Sequence, residues 1–143
     1  MGELQGLYKV LLVDDEILIR EAIRENIHWK EMGFELIADC ENGREAMEVI
    51  RNNLPDLVLT DICMPYVDGI ELARYIHENC PDTRTVIISG YDEFEYAKQA
   101  VRYQVMEYIL KPVTPAELTE VLEKARASLD ETRAKSETLK KLK

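Results

Sequence analysis

Five short apolar segments recur along this chain, and the stretches between them carry apolar residues at helical spacing. The segments are rich in Val, Ile and Leu and lie at 10–13, 34–38, 57–60, 85–88 and 107–110. Continuous apolar strands that alternate with helices are typical of βαβ units, in which a parallel sheet is buried on both faces. Right-handed crossovers leave few topologies for such a chain. We therefore predict a flavodoxin-like α/β fold, a doubly wound five-stranded parallel sheet in the order 2-1-3-4-5 flanked by five helices.

The helical spacing predicts four helices, over 17–27, 43–52, 69–79 and 93–103. A fifth helix is predicted to begin at Thr114–Glu117, because this segment combines a capping box with proline at the first helical position. Neither Gly nor Pro interrupts that helix before Lys143. An apolar stripe on it is expected to pack on the sheet: Leu118, Val121, Leu122, Ala125 and Leu129.

These elements define one domain with short additions at both ends. We assign residues 1–7 to a flexible leader, 8–129 to the domain and 130–143 to a helical extension. A weak heptad continues into the extension through Thr132, Ser136 and Leu139. Two interpretations of this extension remain: a coiled-coil linker, or an overhanging and partly frayed helix.

Composition excludes several classes of function. The chain has 28 acidic and 18 basic residues, a net charge of −10, so its surface would be repelled by a phosphate backbone and direct nucleic-acid binding is not expected. No apolar run approaches the roughly 20 residues that span a bilayer, so no membrane association is expected. Cys40, Cys63 and Cys80 are scattered and form no CxxC pair, which favours a reducing, cytoplasmic location.

The carboxyl ends of four predicted strands carry residues with distinct chemistry. Asp14 and Asp15 follow the first strand, Asp61 the third, Ser89 the fourth and Lys111 the fifth. These ends lie at one edge of a parallel sheet, where ligands bind. Crowded carboxylates predict at least one raised pKa and a site for Mg²⁺, while a hydroxyl and an ammonium group suit a phosphoryl group. We therefore predict a magnesium-dependent phosphoryl site.

The motifs around these residues resemble the response-regulator receiver domain of two-component signalling, over about Tyr8 to Leu129. The matching segments, which appear in the family's order, are Leu11–Glu16, Asp61–Pro65, Asp68–Gly69, Ser89–Tyr91 and Tyr108–Pro112.

The resemblance implies a role for each acidic residue. Asp61 would be the phosphoacceptor, receiving its phosphoryl group from a sensor histidine kinase. Asp15, Asp61 and the backbone carbonyl of Cys63 would ligate Mg²⁺, and Asp14 would act mainly through metal-bound water. The domain would be a signalling module and not an enzyme with turnover, since it would catalyse only its own phosphorylation and dephosphorylation.

The resemblance also implies a switch. Ser89 and Lys111 would contact the phosphoryl group, and the Lys111–Pro112 peptide bond would be cis, which is plausible because X-Pro bonds carry a small cis penalty. Tyr108 would move with Ser89 and become more buried on phosphorylation. That movement would reshape the face formed by the fourth helix, the fifth strand and the last helix, and it would favour a homodimer.

Three further segments, Glu16–Arg20, Trp29–Phe34 and Ser89–Ala97, resemble receivers fused to AraC-type helix-turn-helix output domains. The expected partner in a full-length regulator of transcription is therefore a DNA-binding output domain. The chain resembles an excised receiver with the start of its linker more than a free-standing receiver.

Two alternatives use the same fold differently. A phosphohydrolase of haloacid-dehalogenase type also places Asp, Ser or Thr and Lys at strand ends with Mg²⁺, but its first strand is followed by a DxD pattern. Asp14-Asp15-Glu16 lacks that spacing. The second alternative is an interaction module that works without phosphorylation, and the complete set of acid, Ser and Lys speaks against it. Steady turnover would favour the hydrolase, and slow, stoichiometric labelling would favour the receiver.

Overall fold

The structure is a computed structural model that describes residues 6–64 and 66–142. A leader is predicted for residues 1–7, and its residues 1–5 lie outside the described residues. None of the described helices is both long enough and apolar enough to cross a membrane.

The sheet has five parallel strands in the order β2-β1-β3-β4-β5, which confirms the predicted topology. The strands are β1 Tyr8–Val13, β2 Phe34–Cys40, β3 Leu57–Asp61, β4 Arg84–Ser89 and β5 Glu107–Leu110. The register places Asp61 opposite Ile88, and Ser89 opposite Leu110. The last residues of β3, β4 and β5 therefore lie side by side at the edge where the strands end, here called the carboxyl edge.

Five α-helices connect and flank the strands: α1 Ile17–Asn26, α2 Gly43–Asn53, α3 Gly69–Asn79, α4 Phe94–Ala97 and α5 Pro115–Leu142. Side-chain caps start three of them. Asn42 accepts a hydrogen bond from the Glu45 amide before α2, and Asp68 accepts one from the Glu71 amide before α3. The Thr114 hydroxyl oxygen accepts one before α5, as its capping box predicts.

The prediction of one regular helix over 93–103 is wrong. A single turn of α-helix, α4, is flanked by 3₁₀ segments at Tyr91–Glu93 and Lys98–Tyr103. The side chains of Ala97 and Ala100 are buried, and that of Tyr103 packs beside the same cluster. These residues are three apart, so the tighter 3₁₀ winding, with three residues per turn, directs them all toward the sheet.

Two apolar layers cover the sheet. One face packs against α1 and α5, and the predicted stripe on α5 is buried there in full. Trp29 belongs to the same layer, as a core residue whose Nε1 donates a hydrogen bond to the Arg24 carbonyl. The other face packs against α2 and α3 through residues such as Ile50 and Leu72. Buried layers on both faces explain why the strands read as continuous apolar runs.

The far half of α5 is attached to the edge where the strands begin, here called the amino edge. The Tyr8 hydroxyl donates to Asp130 Oδ1 at 2.5 Å, and the Arg133 guanidinium lies 4.2 Å from the centre of the Tyr8 ring. Arg84 donates from Nε to Ser128 Oγ at 3.0 Å and from Nη2 to Thr132 Oγ1 at 2.6 Å. These bonds hold α5 past the end of its apolar stripe.

Candidate functional site

The carboxyl edge brings together the four strand ends that the sequence singled out. Backbone hydrogen bonds fix them: the Lys111 amide donates to the Ser89 carbonyl at 2.8 Å, and the Asp14 amide to the Cys40 carbonyl at 3.0 Å. Arg20 donates to the Asp14 carbonyl at 2.6 Å. The Lys111–Pro112 peptide bond is cis, as the family resemblance implies.

Four carboxylates converge at this edge. Asp14, Asp15, Glu16 and Asp61 each place one oxygen within 4.8 Å of the others, with Asp14 and Asp61 buried and the other two exposed. Glu16 was not among the predicted site residues. Its place in the sequence beside Asp14 and Asp15 could have indicated a role in the site. A residue directly before α1 is equally typical of a helix cap, so the sequence did not distinguish the two roles. Its side chain makes no capping hydrogen bond and turns to the acid cluster instead.

Lys111 is the cation that faces this cluster. Its Nζ lies 3.1 Å from Asp61 Oδ2, 3.5 Å from Glu16 Oε1 and 3.6 Å from Asp14 Oδ2. One ammonium group therefore serves three carboxylates, and the site keeps an excess of negative charge. Such an excess attracts a further cation.

The pKa values reflect this imbalance, as crowding predicts. Burial and the neighbouring charge of Asp14 raise the pKa of Asp61 from 3.8 to about 6, although Lys111 acts in the opposite direction. Burial also raises the pKa of Asp14. Burial alone would lower the pKa of Lys111, but the charges of Asp61 and Asp14 outweigh it and raise that pKa to about 12.

The donor set fits a hard divalent cation. Asp14 Oδ2 is buried and accepts no hydrogen bond from the described residues. Buried carboxylate oxygens normally have hydrogen-bond partners, so an oxygen that has a 3.6 Å ion pair with Lys111 but no hydrogen bond, and that faces three other acids, points to a ligand. Mg²⁺ prefers carboxylate and carbonyl oxygens. Cys63 lies in the loop after β3, and its thiol contacts the carboxylate of Glu93.

Backbone contact between β3 and α3 explains why glycine stands at position 69. The Gly69 amide donates to the Ile62 carbonyl at 2.8 Å, and a Cβ on Gly69 would lie only 2.4 Å from the Asp61 carbonyl oxygen. No side chain fits at that distance. The close approach of α3 holds the end of β3, and with it Asp61, in a fixed position.

The two residues predicted to act as a switch lie on neighbouring strands. Ser89 is buried at the end of β4, beside the end of β3 that carries Asp61. Tyr108 on β5 is half-buried against the cluster that contains Ile87 and Ala97. Its hydroxyl is buried and has no hydrogen-bond partner among the residues described, and burial raises its pKa. An unpartnered hydroxyl leaves this ring free to change position at little hydrogen-bonding cost.

Glu93 is a second acidic residue at this edge that the sequence did not identify as part of the site. Its Oε1 accepts a hydrogen bond of 2.6 Å from the Gly90 amide, and its carboxylate also accepts one from the Cys63 thiol. That contact, with burial second, raises the pKa of the Cys63 thiol to about 12. The side chain therefore joins the loop after β4 to the loop after β3.

Comparison with known proteins places this geometry in a family. Residues 10–123 match the model of the response regulator receiver domain. Over 123 residues the chain is 40% identical to the uncharacterized transcriptional regulatory protein YesN of Bacillus subtilis, covering 86% of this chain and 33% of that protein. The chain spans about a third to a half of the length of the curated relatives it matches.

Solved structures agree with the sequence relatives. The receiver domain of AraT, a response regulator from Geobacillus stearothermophilus, superposes with a TM-score of 0.86 at 42% identity, covering 89% of this chain and 98% of that one. A two-component transcriptional regulator AraC from Clostridium phytofermentans superposes with a TM-score of 0.82 at 34% identity, with the same coverage.

Proposed function

Because this chain belongs to the response regulator receiver domain family, we propose that it accepts a phosphoryl group on Asp61 and passes the change to an output domain. The observation that supports Asp61 is its position. It is a buried carboxylate at the end of β3, 3.1 Å from the Lys111 ammonium and next to Asp14 and Asp15. No other carboxylate among the described residues combines these contacts.

The chemistry is a phosphoryl transfer from a phosphohistidine on a sensor kinase. A carboxylate oxygen of Asp61 attacks phosphorus, the phosphorus–nitrogen bond breaks, and the imidazole nitrogen leaves with the electron pair. With a pKa of about 6, Asp61 is mostly ionised at pH 7 and able to attack. Lys111 and Ser89 would then hold oxygens of the transferred group.

A divalent cation completes the proposed site. Asp14, Asp15, Asp61 and the Cys63 carbonyl are the groups proposed to hold Mg²⁺, with Asp14 acting mainly through bound water. When bound, the cation would offset the charge of the carboxylates and of the incoming phosphoryl oxygens. The Oδ2 atom of Asp14, which accepts no hydrogen bond from the described residues, supports this assignment.

The family and the names of the relatives support the proposed partners. We propose a sensor histidine kinase as phosphodonor and a DNA-binding output domain as the element controlled, in a cytoplasmic regulator of transcription. The acidic domain itself would not contact DNA. A homodimer of the phosphorylated form stays a prediction, which sedimentation velocity with beryllofluoride, a mimic of the phosphoryl group, would check.

The output route is proposed to run through Ser89 and Tyr108. A phosphoryl group on Asp61 offers acceptor oxygens to the Ser89 hydroxyl, and inward movement of Ser89 makes room beside β5. Tyr108 would fill that room, since its hydroxyl holds no partner among the described residues that would resist the movement. The face of α4, β5 and α5 would change shape as a result.

Labelling by a small phosphodonor tests the assignment. With acetyl phosphate and Mg²⁺, the wild type should gain one phosphoryl group by intact mass, and Asp61→Asn should gain none because the nucleophile is gone. Asp15→Asn should require more Mg²⁺ for the same labelling. Asp56→Asn is the matched control: it removes a carboxylate at the amino edge, where Asp56 accepts from the Lys9 amide, and it should label normally.

Two outcomes would contradict the proposal. Undiminished mass gain in Asp61→Asn would move the phosphoacceptor elsewhere. Steady release of phosphate from many equivalents of donor would favour the hydrolase alternative, which the family match does not support.

A further inference from the structure

The side chain of Glu93 folds back over its own turn toward the carboxyl edge. Its carboxylate accepts a 2.6 Å hydrogen bond from the Gly90 amide, while its own amide donates to the Gly90 carbonyl at 3.0 Å. On the other side the carboxylate accepts from the Cys63 thiol. Burial alone would raise the pKa of Glu93, but these hydrogen bonds and the charge of Lys111 lower it. These contacts therefore favour the ionised form of Glu93.

The position of this carboxylate matters because of its neighbours. Gly90 directly follows Ser89 at the end of β4, and Cys63 lies two residues after Asp61. The two groups that hold Glu93 thus belong to the loop that follows Asp61 and to the loop after the neighbouring strand β4. A tetrahedral group attached to Asp61 and in contact with Ser89 would be near the same amide.

We propose that Glu93 is an internal anion that occupies the Gly90 amide in the unphosphorylated protein and is displaced when a phosphoryl group arrives on Asp61. The inference rests on the proposed function of Asp61. It assigns Glu93 a regulatory role in that reaction, since this carboxylate and the phosphoryl group compete for one donor and repel each other.

The physical reason is the balance of charge. The unphosphorylated edge already holds Asp14, Asp61 and Glu16 around Lys111. A phosphoryl group replaces the single charge of the Asp61 carboxylate with up to about two negative charges and brings strong acceptor oxygens. The Gly90 N–H is a single donor, so it cannot serve both anions. The side chain of Glu93 is half-buried and can turn into water.

Displacement of the Glu93 side chain would affect α4 directly. Glu93 is the last residue of the 3₁₀ turn Tyr91–Glu93, and α4 begins at the next residue. Release of its side chain removes the 2.6 Å hydrogen bond from the Gly90 amide and leaves the backbone bond from the Glu93 amide to the Gly90 carbonyl to close this turn. The opposite end of α4 stays attached, because the Tyr96 hydroxyl donates to Asp68. Phosphorylation would therefore loosen the start of α4 while its other contacts hold.

Neutralising Glu93 tests the proposal. Glu93→Gln keeps an acceptor oxygen for the Gly90 amide but removes the charge, so the turn should be retained and the repulsion lost. We expect the rate of Asp61 labelling by acetyl phosphate to rise about threefold to tenfold, the size of effect of one nearby charge at a partly exposed site. The measurement is intact mass against time at fixed Mg²⁺.

Glu95→Gln is the matched control. Glu95 lies two residues further on, is largely exposed and pairs with Lys98 at 3.2 Å. Its substitution changes the net charge by the same amount without touching Gly90, so its labelling rate should stay within about twofold of wild type. A second readout is the Gly90 amide resonance, which beryllofluoride should shift in the wild type, and which should already be displaced in Glu93→Ala without it.

Equal labelling rates for Glu93→Gln and Glu95→Gln would overturn the inference. So would a Gly90 resonance that is the same in wild type and Glu93→Ala. Failure of the proposed function looks different, because wild type would then gain no mass or Asp61→Asn would gain it. Thermal melts of both variants check that they are folded.

Discussion

The two edges of the sheet differ in how their polar and charged groups are paired. At the amino edge, Arg84 and Tyr8 donate hydrogen bonds to Ser128, Thr132 and Asp130 of α5, which are acceptors of matching chemistry. At the carboxyl edge, Asp14 and Asp61 are buried close together with one lysine between them, and one oxygen of Asp14 accepts no hydrogen bond from the described residues. The same sheet therefore carries one edge that stabilises the fold and one that opposes it.

The difference indicates that the carboxyl edge is the functional edge of the sheet. Buried carboxylates that repel each other destabilise a fold unless something binds them. A cation gains from that unfavourable arrangement, because its binding relieves the repulsion. At the amino edge the hydrogen bonds from Tyr8 and Arg84 fix the helix that leads away from the domain.

The largest effect should come from removing the charge at the carboxyl edge. The pKa of Asp61 is raised from 3.8 to about 6, so the folded state binds a proton more tightly than the unfolded state does. Stability therefore falls as the pH rises through this window, and above it the charge costs roughly 2–3 kcal/mol. Asp61→Asn should be more stable than wild type by about that amount at pH 7 in EDTA, by urea denaturation.

The pH profile makes this prediction specific. The advantage of Asp61→Asn should be near zero at about pH 4 and reach its full size above about pH 6. Asp39→Asn is the contrasting variant, since Asp39 accepts from Arg20 and Arg24 at 3.1 and 2.9 Å, and it should give no gain. A loss of stability in Asp61→Asn at pH 7 would mean that Lys111 outweighs burial.

At the amino edge the next largest effect is expected, with the opposite sign. Arg84→Met keeps the apolar stem but removes the hydrogen bonds to Ser128 and Thr132, so the free energy of unfolding should fall by about 1–2 kcal/mol. Arg74→Met is the control, because its i,i+4 pair with Glu78 is exposed and should contribute less than about 0.5 kcal/mol. If both variants lose the same amount, Arg84 does not hold α5.

The smallest effect should come from Tyr8→Phe. The ring stays buried and keeps its contact with Arg133, while only the hydrogen bond to Asp130 is lost. Asp130 then turns to water, so the loss should be about 1 kcal/mol by urea denaturation. Labelling of Asp61 should be unchanged. Slower labelling in this variant would show that the two edges are coupled, which the comparison between them does not predict.

Much of the fold follows from the order of residues alone. The alternation of apolar runs with helical spacing is a local property, and parallel strands that alternate with helices permit few arrangements. The strand order and the convergence of Asp14, Asp61, Ser89 and Lys111 were predictable for that reason. The segment 93–103 was not, because helical spacing and 3₁₀ spacing differ by little over two turns and the contact with the sheet selects between them.

The sequence by itself determined which chemical groups stand at the strand ends, because each position follows directly from the period of a strand. Only the tertiary structure decided how those groups pair. Glu16 turns to Lys111 instead of capping α1, and Glu93 bridges Gly90 and Cys63, across 30 residues of sequence. Such pairings depend on distances between side chains from separate elements, and on how deeply each is buried. Neither quantity is encoded locally, since both arise only when the sheet and its helices pack.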